Sequence, residues 1–266
     1  MSSAAVDRFL LVNPRSGDDR PSVDELVRAA RARGIRTHVL VEGDDAGALA
    51  GAAEATAVGI AGGDGSLAAV AAAAVERDVR FVCVPYGTRN HFARDLGLDR
   101  TDPIAALDAF DGEERRIDVA RVGDRVFLNN VSIGMYAALV HRREHHRRSR
   151  QAFARMRAWL ILATHRAPLG ITVDGEAVET RLLLVANNAY ALELPSLGER
   201  ERLDEGVLHL YLVQGGVDER TGTRFEINVR GGRIHAAVDG EPEVLQTPIR
   251  FAIEPRALRV LVPKGV

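Results

Sequence analysis

A glycine-rich turn contains the residue types that could bind a phosphate group. Residues 62–66, Gly-Gly-Asp-Gly-Ser, follow the apolar run 57–60 and precede an alanine-rich stretch. Because glycine weakens both helices and strands, this cluster belongs to the connection between them. Its backbone could approach a ligand closely, and free N–H groups at a helix start attract anions. We interpret it as a phosphate-binding turn, with a tight strand-to-helix connection as the alternative.

Two further polar turns follow apolar runs in the same way. Residues 85–94 come after the run 80–84, and residues 13–17 come after the run 9–12. If these runs are strands of one parallel sheet, the turns lie at their carboxyl ends, where such sheets bind ligands. The chain has neither a Walker sequence nor a G-x-G-x-x-G sequence, so neither of those phosphate-binding motifs applies.

The order of the elements predicts two domains. Over about the first 120 residues, short apolar runs alternate with helical patterns, as in a doubly wound α/β domain with a parallel sheet. The later part has short apolar runs separated by turn signals, which is typical of a β-sandwich. We place an α/β domain at 1–120 and a β-sandwich domain at 121–266. The last strand is the one element that could return to the first domain.

The composition restricts the class of protein. The 266 residues are 46% hydrophobic and 27% charged with a net charge of −2, which is typical of a globular chain. Cys83 is the only cysteine, which excludes an internal disulfide and a cysteine-based zinc cluster. No run of about 18 apolar residues or signal peptide is present, so we expect a cytoplasmic location. No nucleic-acid motif accompanies the arginines, and the sequence does not indicate an oligomeric state.

Taken in order, the polar turns resemble the diacylglycerol kinase catalytic-domain family, which includes bacterial lipid kinases and the sphingosine and ceramide kinases. The matching segments continue along nearly the whole chain, at residues 13–17, 62–66, 85–94, 118, 127–130, 203–206 and 239–241. The family's usual second motif ends in threonine, so Ser66 is a departure that keeps the hydroxyl. Many bacterial members have aspartate where this chain has His91, which leaves the nucleotide preference and the metal arrangement open.

The resemblance implies an ATP-binding α/β domain, a lipid-binding β-sandwich, and an active site in the cleft between them. It also implies magnesium, because phosphoryl transfer requires the developing charge to be neutralised. The positions carried over to nucleotide binding are Asn13, Gly62, Gly63, Asp64, Gly65, Ser66, Thr88 and Asn90. The implied function is transfer of the γ-phosphoryl group of ATP to a lipid hydroxyl, on diacylglycerol or a similar molecule, in phospholipid biosynthesis.

Three acids are candidates for the chemistry. By the same resemblance, Asp118 matches an active-site acid and Asp204 an acid linked to a magnesium–water network; a simple turn at 204–206 is the alternative. Val-Asp-Gly-Glu occurs twice, at 173–176 and 238–241. The first copy carries a hairpin signal, so we interpret Glu176 as structural. The second comes after Asp204, where the family has its functional Asp-Gly-Glu, which makes Glu241 the candidate base.

Two alternatives to a lipid kinase remain at this stage. One is an enzyme similar to NAD kinase, which shares the glycine-rich acidic turn, and the other is a non-catalytic nucleotide-binding protein, for which His91 is the argument. The arginine-rich stretch 141–150 continues into an apolar stripe up to residue 160. Segment 141–160 is therefore the candidate for a peripheral contact with anionic lipid at the inner membrane surface, or else a solvated helix.

Overall fold

A computed structural model describes residues 7–16, 21–87, 90–134, 169–192, 198–214 and 216–266. The chain divides into two compact units, residues up to Ile117 together with Arg256–Val266, and residues Asp118–Pro255. Each unit is described below by itself. In the described ranges no helix has both the length and the apolar composition needed to cross a membrane.

The first unit is built from strands and helices that alternate along the chain. In chain order they are β1 (Arg8–Val12), α1 (Val23–Ala32), β2 (Arg36–Val39), α2 (Ala46–Ala52), β3 (Ala57–Gly62), α3 (Asp64–Glu76), β4 (Arg80–Pro85), α4 (His91–Asp95) and a 3₁₀ helix (Ala105–Asp111). The strands pair in parallel in the order β2-β1-β3-β4. This is the parallel α/β sheet that the sequence predicts.

Local sequence explains where these helices begin. Ser22 and Glu25 form a capping box, in which each side chain bonds the backbone N–H of the other residue. Helix α3 begins at Asp64, with Gly63 as its N-cap. The acid then lies in the first turn, where the helix dipole favours negative charge.

The second unit is built from antiparallel strands. In chain order the strands that contribute to it are β5 (Glu113–Val122), β6 (Arg125–Phe127), β7 (Asn130–Ile133), β8 (Leu169–Val173), β9 (Glu176–Thr180), β10 (Leu182–Asn187), β11 (Leu208–Val213), β12 (Val217–Gly222), β13 (Arg224–Val229), β14 (Arg233–Val238), β15 (Glu241–Gln246) and β16 (Ile249–Val262). One sheet has the order β12-β11-β10-β7-β14-β15. In the other, β13 lies between the first residues of β16 and strand β8, which pairs with β9.

The two sheets of this unit enclose one apolar core, which confirms the predicted β-sandwich class. Leu183 and Leu210 of the six-stranded sheet share this core with Ile227 of the other sheet. The rings of Phe127 and Phe251 meet edge to face, with centroids 6.3 Å apart. Alternate residues of most strands supply this core, as expected for a sandwich, and β10 and β11 are also buried on their other face.

Three details of these strands differ from what the sequence pattern predicts. The apolar pattern predicts one strand over 125–132, but the structure has two, β6 and β7, because the backbone N–H groups of residues 128–130 bond a carboxylate instead of a neighbouring strand. The pattern does not indicate strands β12 and β15, whose polar sequences suit the edges of the sheet. It predicts two separate strands over 249–253 and 258–262, which form one strand, β16, whose last residues pair with β4.

Candidate functional site

The turn that follows β1 lies against the glycine turn at residues 62–66. The backbone N–H of Asn13 donates to Ala61 O at 2.9 Å, and its side-chain Oδ1 accepts the Arg15 N–H at 3.0 Å. The Ser16 hydroxyl accepts the Gly63 N–H at 3.4 Å. The structure therefore brings the predicted residue Asn13 to the same sheet edge as the glycine turn.

Gly62 and Gly63 differ in what a side chain at each position would contact. A Cβ at Gly62 would overlap the Ser66 hydroxyl, which donates to Gly63 O at 2.9 Å. A Cβ at Gly63 would meet only Gly87 Cα, at an ordinary 3.6 Å, so packing within the protein does not require glycine there. The N–H groups of Asp64 and Gly65 at the start of α3 have no partner within the helix, whereas the Ser66 N–H donates to Gly63 O at 3.0 Å. The turn thus offers an open backbone surface suited to an anion.

The second turn, residues 87–90, is closed by the side chain of Asn90. Asn90 has a left-handed backbone with φ +48°, and it is only 4% exposed. Its Oδ1 accepts the Gly87 N–H at 2.9 Å, and its Nδ2 donates to Gly87 O at 2.7 Å. A Cβ at Gly87 would overlap Gly63 Cα, so the two turns are in direct contact. Thr88, a predicted nucleotide-binding residue, lies outside the described residues.

Asp64 connects the glycine turn to helix α4. Its carboxylate accepts the backbone N–H groups of His91 and Phe92, both at 3.1 Å. Asp64 therefore caps α4 and fixes the two turns against each other. The Asp64 carboxylate therefore faces the protein. Gly65 lies in the first turn of α3, beside Asp64.

Asp118 is a buried anchor in the second unit. It is 1% exposed, and its carboxylate accepts the Gly206 N–H at 2.6 Å, while its own N–H donates to Leu203 O at 2.7 Å. Both contacts hold residues 203–206, the turn that carries Asp204. The structure therefore brings two predicted site residues, Asp118 and Asp204, to one turn.

The acids beside this turn have different partners. Asp204 accepts hydrogen bonds from Arg202 at 3.0 and 3.2 Å. The Glu205 carboxylate accepts the Ala189 N–H at 2.9 Å and lies 3.2 Å from His209 Nε2. The other ring nitrogen of His209, Nδ1, is 2.6 Å from the Glu219 carboxylate. Among the residues that the structure describes, no group of three or more histidine, cysteine or acidic side chains could hold a metal ion.

Glu241 begins strand β15 at the surface. Its carboxylate is 3.4 Å from Arg125, which also pairs with Glu243, and about half of its side chain is exposed. Two residues earlier, Asp239 accepts the N–H groups of Leu128, Asn129 and Asn130 at 2.8, 2.8 and 3.1 Å. Burial raises the pKa of the Asp239 carboxyl to about 6, although these hydrogen bonds and the Arg200 charge act in the opposite direction.

Sequence reasoning missed two residues that hold these turns. Asp239 belongs to the second Val-Asp-Gly-Glu copy, so the repeat could have drawn attention to it. Arg200 lies in the charged run 199–202 and carries no signal of its own, yet it is 3% exposed. The candidate membrane segment 141–160 lies outside the described residues.

Residues 7–122, which include the glycine turn and the Asn90 turn, match the family model of the diacylglycerol kinase catalytic domain. The predicted resemblance is therefore confirmed over residues 7–122.

Two curated relatives are named as probable lipid kinases. The YegS-like protein of Klebsiella pneumoniae is 31% identical over 138 residues, which cover 49% of this chain and 46% of the relative. The YegS-like protein of Pseudomonas fluorescens is 39% identical over 126 residues, or 43% of this chain and 42% of the relative. The chain thus spans about half the length of the curated relatives it matches, 46% and 42% in these two cases.

A solved structure shows the same fold over nearly the whole chain. The crystal structure of a diacylglycerol kinase from Bacillus anthracis covers 96% of both chains with a TM-score of 0.70. The sequence identity is 19%, so this likeness concerns the fold alone. The fold of both units is therefore that of the diacylglycerol kinase structure.

Proposed function

We propose that the chain is a lipid kinase that transfers the γ-phosphoryl group of ATP to a hydroxyl of diacylglycerol or a similar lipid. The observation that carries the proposal is the contact between the two polar turns at the ends of β3 and β4. Gly63 and Gly87 meet there, and no side chain fills the space where a Cβ of residue 63 would lie. Both turns lie inside the segment that matches the diacylglycerol kinase catalytic domain.

The nucleotide phosphates would bind the backbone of residues 62–66, as the resemblance implies. The N–H groups of Asp64 and Gly65, the first two residues of α3, are donors without helical partners, and Gly63 has room beside it. Asn13, Asp64 and Asn90 support this surface through hydrogen bonds to the backbone. We propose that these three side chains shape the turns, and that the backbone and Ser66 meet the phosphates.

The resemblance implies a magnesium ion, and in the proposed reaction the nucleotide phosphates would supply part of its ligands. Mg²⁺ in kinases is usually held by one or two carboxylates together with substrate phosphates, so a preformed cage is not required. Asp204 would hold it, and it would neutralise charge on the transferred phosphoryl group. The buried Asp118 would contribute by holding Gly206 and Leu203, which fix the turn of Asp204.

Glu241 is the proposed base that accepts the proton of the lipid hydroxyl. Its carboxylate is accessible at the start of β15, and a base acting on this proton would contribute about 10²–10⁴-fold to the rate. The proton moves from the hydroxyl to Glu241 as the bond between the hydroxyl oxygen and phosphorus forms. The bond between that phosphorus and the ADP oxygen breaks in the same transfer.

The function is tested by incubating the protein with γ-labelled ATP and a total lipid extract, then identifying the labelled product. A labelled phospholipid is the expected result. Labelled NAD, in a parallel incubation, would replace the proposal by an enzyme similar to NAD kinase. ATP binding without any labelled product would leave a nucleotide-binding protein without catalysis.

The phosphate-binding surface has its own test in Gly63→Ala. The added methyl group fits within the protein but occupies the space proposed for phosphate. We expect the ATP dissociation constant to rise tenfold or more, about 1.4 kcal/mol. Gly51→Ala, at an open position of α2, makes the same change as a control and should leave the affinity unchanged. Equal ATP affinities for both variants would contradict this role of the turn.

A further inference from the structure

The three-residue turn 128–130 is held from two sides by charged side chains. Asp239 accepts its backbone N–H groups. From the other side, the guanidinium of Arg200 donates to Leu128 O at 2.6 Å and to Asn129 Oδ1 at 2.7 Å. The same guanidinium donates to Asn187 O at 3.1 Å, and it lies 5.8 Å from the Tyr190 ring centroid. Arg200 and Asp239 are thus connected through one turn.

Each of these two residues, Arg200 and Asp239, lies close in sequence to a candidate active-site acid. Asp239 is two residues before Glu241, in the hairpin turn between β14 and β15. Arg200 is four residues before Asp204, in the segment that leads to the turn 203–206. If Asp239 or Arg200 moved, the short backbone segment that joins it to Glu241 or Asp204 would therefore shift that acid, which the proposed reaction uses.

The connection continues to the Asp204 turn through buried amides. The Nδ2 of Asn187 donates to Leu128 O and to Asp118 O, both at 3.1 Å. Asp118 holds Gly206, and Asn188 Oδ1 accepts the Glu205 N–H at 3.0 Å. Asn187 and Asn188 are 1% and 0% exposed. A buried polar network of this kind fixes one arrangement when each of its members has its partners.

We propose that Arg200 is a positioning residue, which acts through turn 128–130 to fix the Asp204 turn relative to the Asp239–Glu241 turn. The catalytic part of this proposal rests on the proposed function. Arginine suits the position because its planar fork donates in several fixed directions at once, to Leu128, Asn129 and Asn187. A lysine would keep the charge but could not reproduce that fork.

The decisive variant is Arg200→Lys, compared with Arg250→Lys at an exposed ion pair of the same unit. We expect kcat for lipid phosphorylation to fall by about 10²-fold in Arg200→Lys, the size expected for a misplacement of roughly 1 Å. The ATP dissociation constant should stay within twofold of the wild-type value. Arg250→Lys should match the wild type in both measurements.

Two further variants separate positioning from a general loss of packing. Asp239→Asn alters the other side of the turn, so the double variant should lose little more kcat than the stronger single variant. If the two single-variant losses of kcat multiply in the double variant, Arg200 and Asp239 act independently, which would contradict a shared route through turn 128–130. If Arg200→Lys does not fold, Asn129→Ala removes one acceptor of the same fork and should lower kcat in the same direction.

Amide hydrogen exchange tests the connection without reference to any activity. In Arg200→Lys, exchange should become faster at three separate segments, residues 128–130, 203–206 and 239–241. In Arg250→Lys, it should not change at these segments. Unchanged exchange at 203–206 or at 239–241 in Arg200→Lys would overturn the positioning role. An inactive wild-type protein would instead overturn the proposed function, and exchange would still decide the connection.

Discussion

The tetrapeptide Val-Asp-Gly-Glu occurs twice in this chain. The two copies have the same backbone conformation, but their side chains have different hydrogen-bond partners. Each copy forms a two-residue hairpin turn. The first copy joins β8 to β9, and the second joins β14 to β15. The φ angles are +50° and +87° at Asp174 and Gly175, and +48° and +86° at Asp239 and Gly240. Four residues are therefore enough to set this turn, as expected for the Asp-Gly pair in a hairpin.

The side chains of the two aspartates have different roles. Asp174 is exposed, and its carboxylate accepts one N–H, from Glu226 at 2.7 Å. Asp239 accepts three N–H groups, and burial raises the pKa of its carboxyl. The comparison shows that the local sequence determines the shape of the turn, whereas residues 52 positions away in the first copy and 109–111 positions away in the second determine what the aspartate binds.

The largest expected difference between the copies concerns turnover. Glu241→Gln removes the basic oxygen of the proposed base while keeping its size, so kcat should fall by about 10²–10⁴-fold. Glu176→Gln makes the same change at a glutamate that is paired only weakly with Arg220, at 3.3 Å, and it should leave kcat within twofold. Initial rates at saturating ATP and lipid measure both effects.

Two controls accompany this pair of variants. Both glutamates are exposed and each lies beside one arginine, so the melting temperatures of the variants should remain close to that of the wild type. ATP affinity should also be unchanged in both. Full turnover by Glu241→Gln, or a loss confined to Glu176→Gln, would show that the base is assigned to the wrong copy.

Much of the molecule could be predicted because its signals are local. The capping box at Ser22, the Asp-Gly turn at 174–175 and the alternation of strands and helices each depend on residues close in sequence. The glycine turn at 62–66 could also be located from its composition. The hairpin signal does not separate the two Val-Asp-Gly-Glu copies, because both of them are hairpins.

The rest depends on contacts that the sequence does not display. Arg200 lies in the run Glu-Arg-Glu-Arg, which is typical of a solvated surface, yet its guanidinium bonds backbone about 70 residues away. Asp64 could be located, but its use as the cap of α4 depends on a turn 27 residues later. Polar edge strands such as β12 lack an apolar alternation, so periodicity alone could not find them.

The next largest difference between the copies should be in stability. Asp239→Ala leaves three backbone N–H groups without their acceptor, and we expect it to lower the free energy of unfolding by about 3 kcal/mol or more. Asp174→Ala removes one acceptor at the surface and should cost less than about 1 kcal/mol. Urea unfolding measures both, and equal losses for the two variants would contradict the structural difference described here.

A smaller effect is expected in the pH dependence of stability. The pKa of Asp239 is raised from 3.8 to about 6 in the folded protein, so the folded state holds the proton more tightly. Its contribution to stability is fully present below pH 3.8 and is lost as the pH rises through about 6. The stability of the wild type relative to Asp239→Asn should therefore decline over this interval.

The control for this measurement is Asp174→Asn, which makes the same change in the other hairpin. Unfolding free energies of all three proteins, measured at several pH values from 4 to 7, give the two differences. A wild-type advantage over Asp239→Asn that rises with pH, or that stays constant, would show that the Asp239 proton is not linked to folding in this way.

The smallest expected difference is between Gly175→Ala and Gly240→Ala, which test the shared backbone. Both glycines have a left-handed φ, and a Cβ at either position would meet no atom within 4 Å. Steric contacts therefore do not distinguish them, and each substitution should cost the same backbone strain, about 1–2 kcal/mol. We expect the two free energies of unfolding to agree within about 0.5 kcal/mol. A clearly larger loss for Gly240→Ala would mean that the second turn is held more rigidly, through Asp239 and residues 128–130, than its backbone angles indicate.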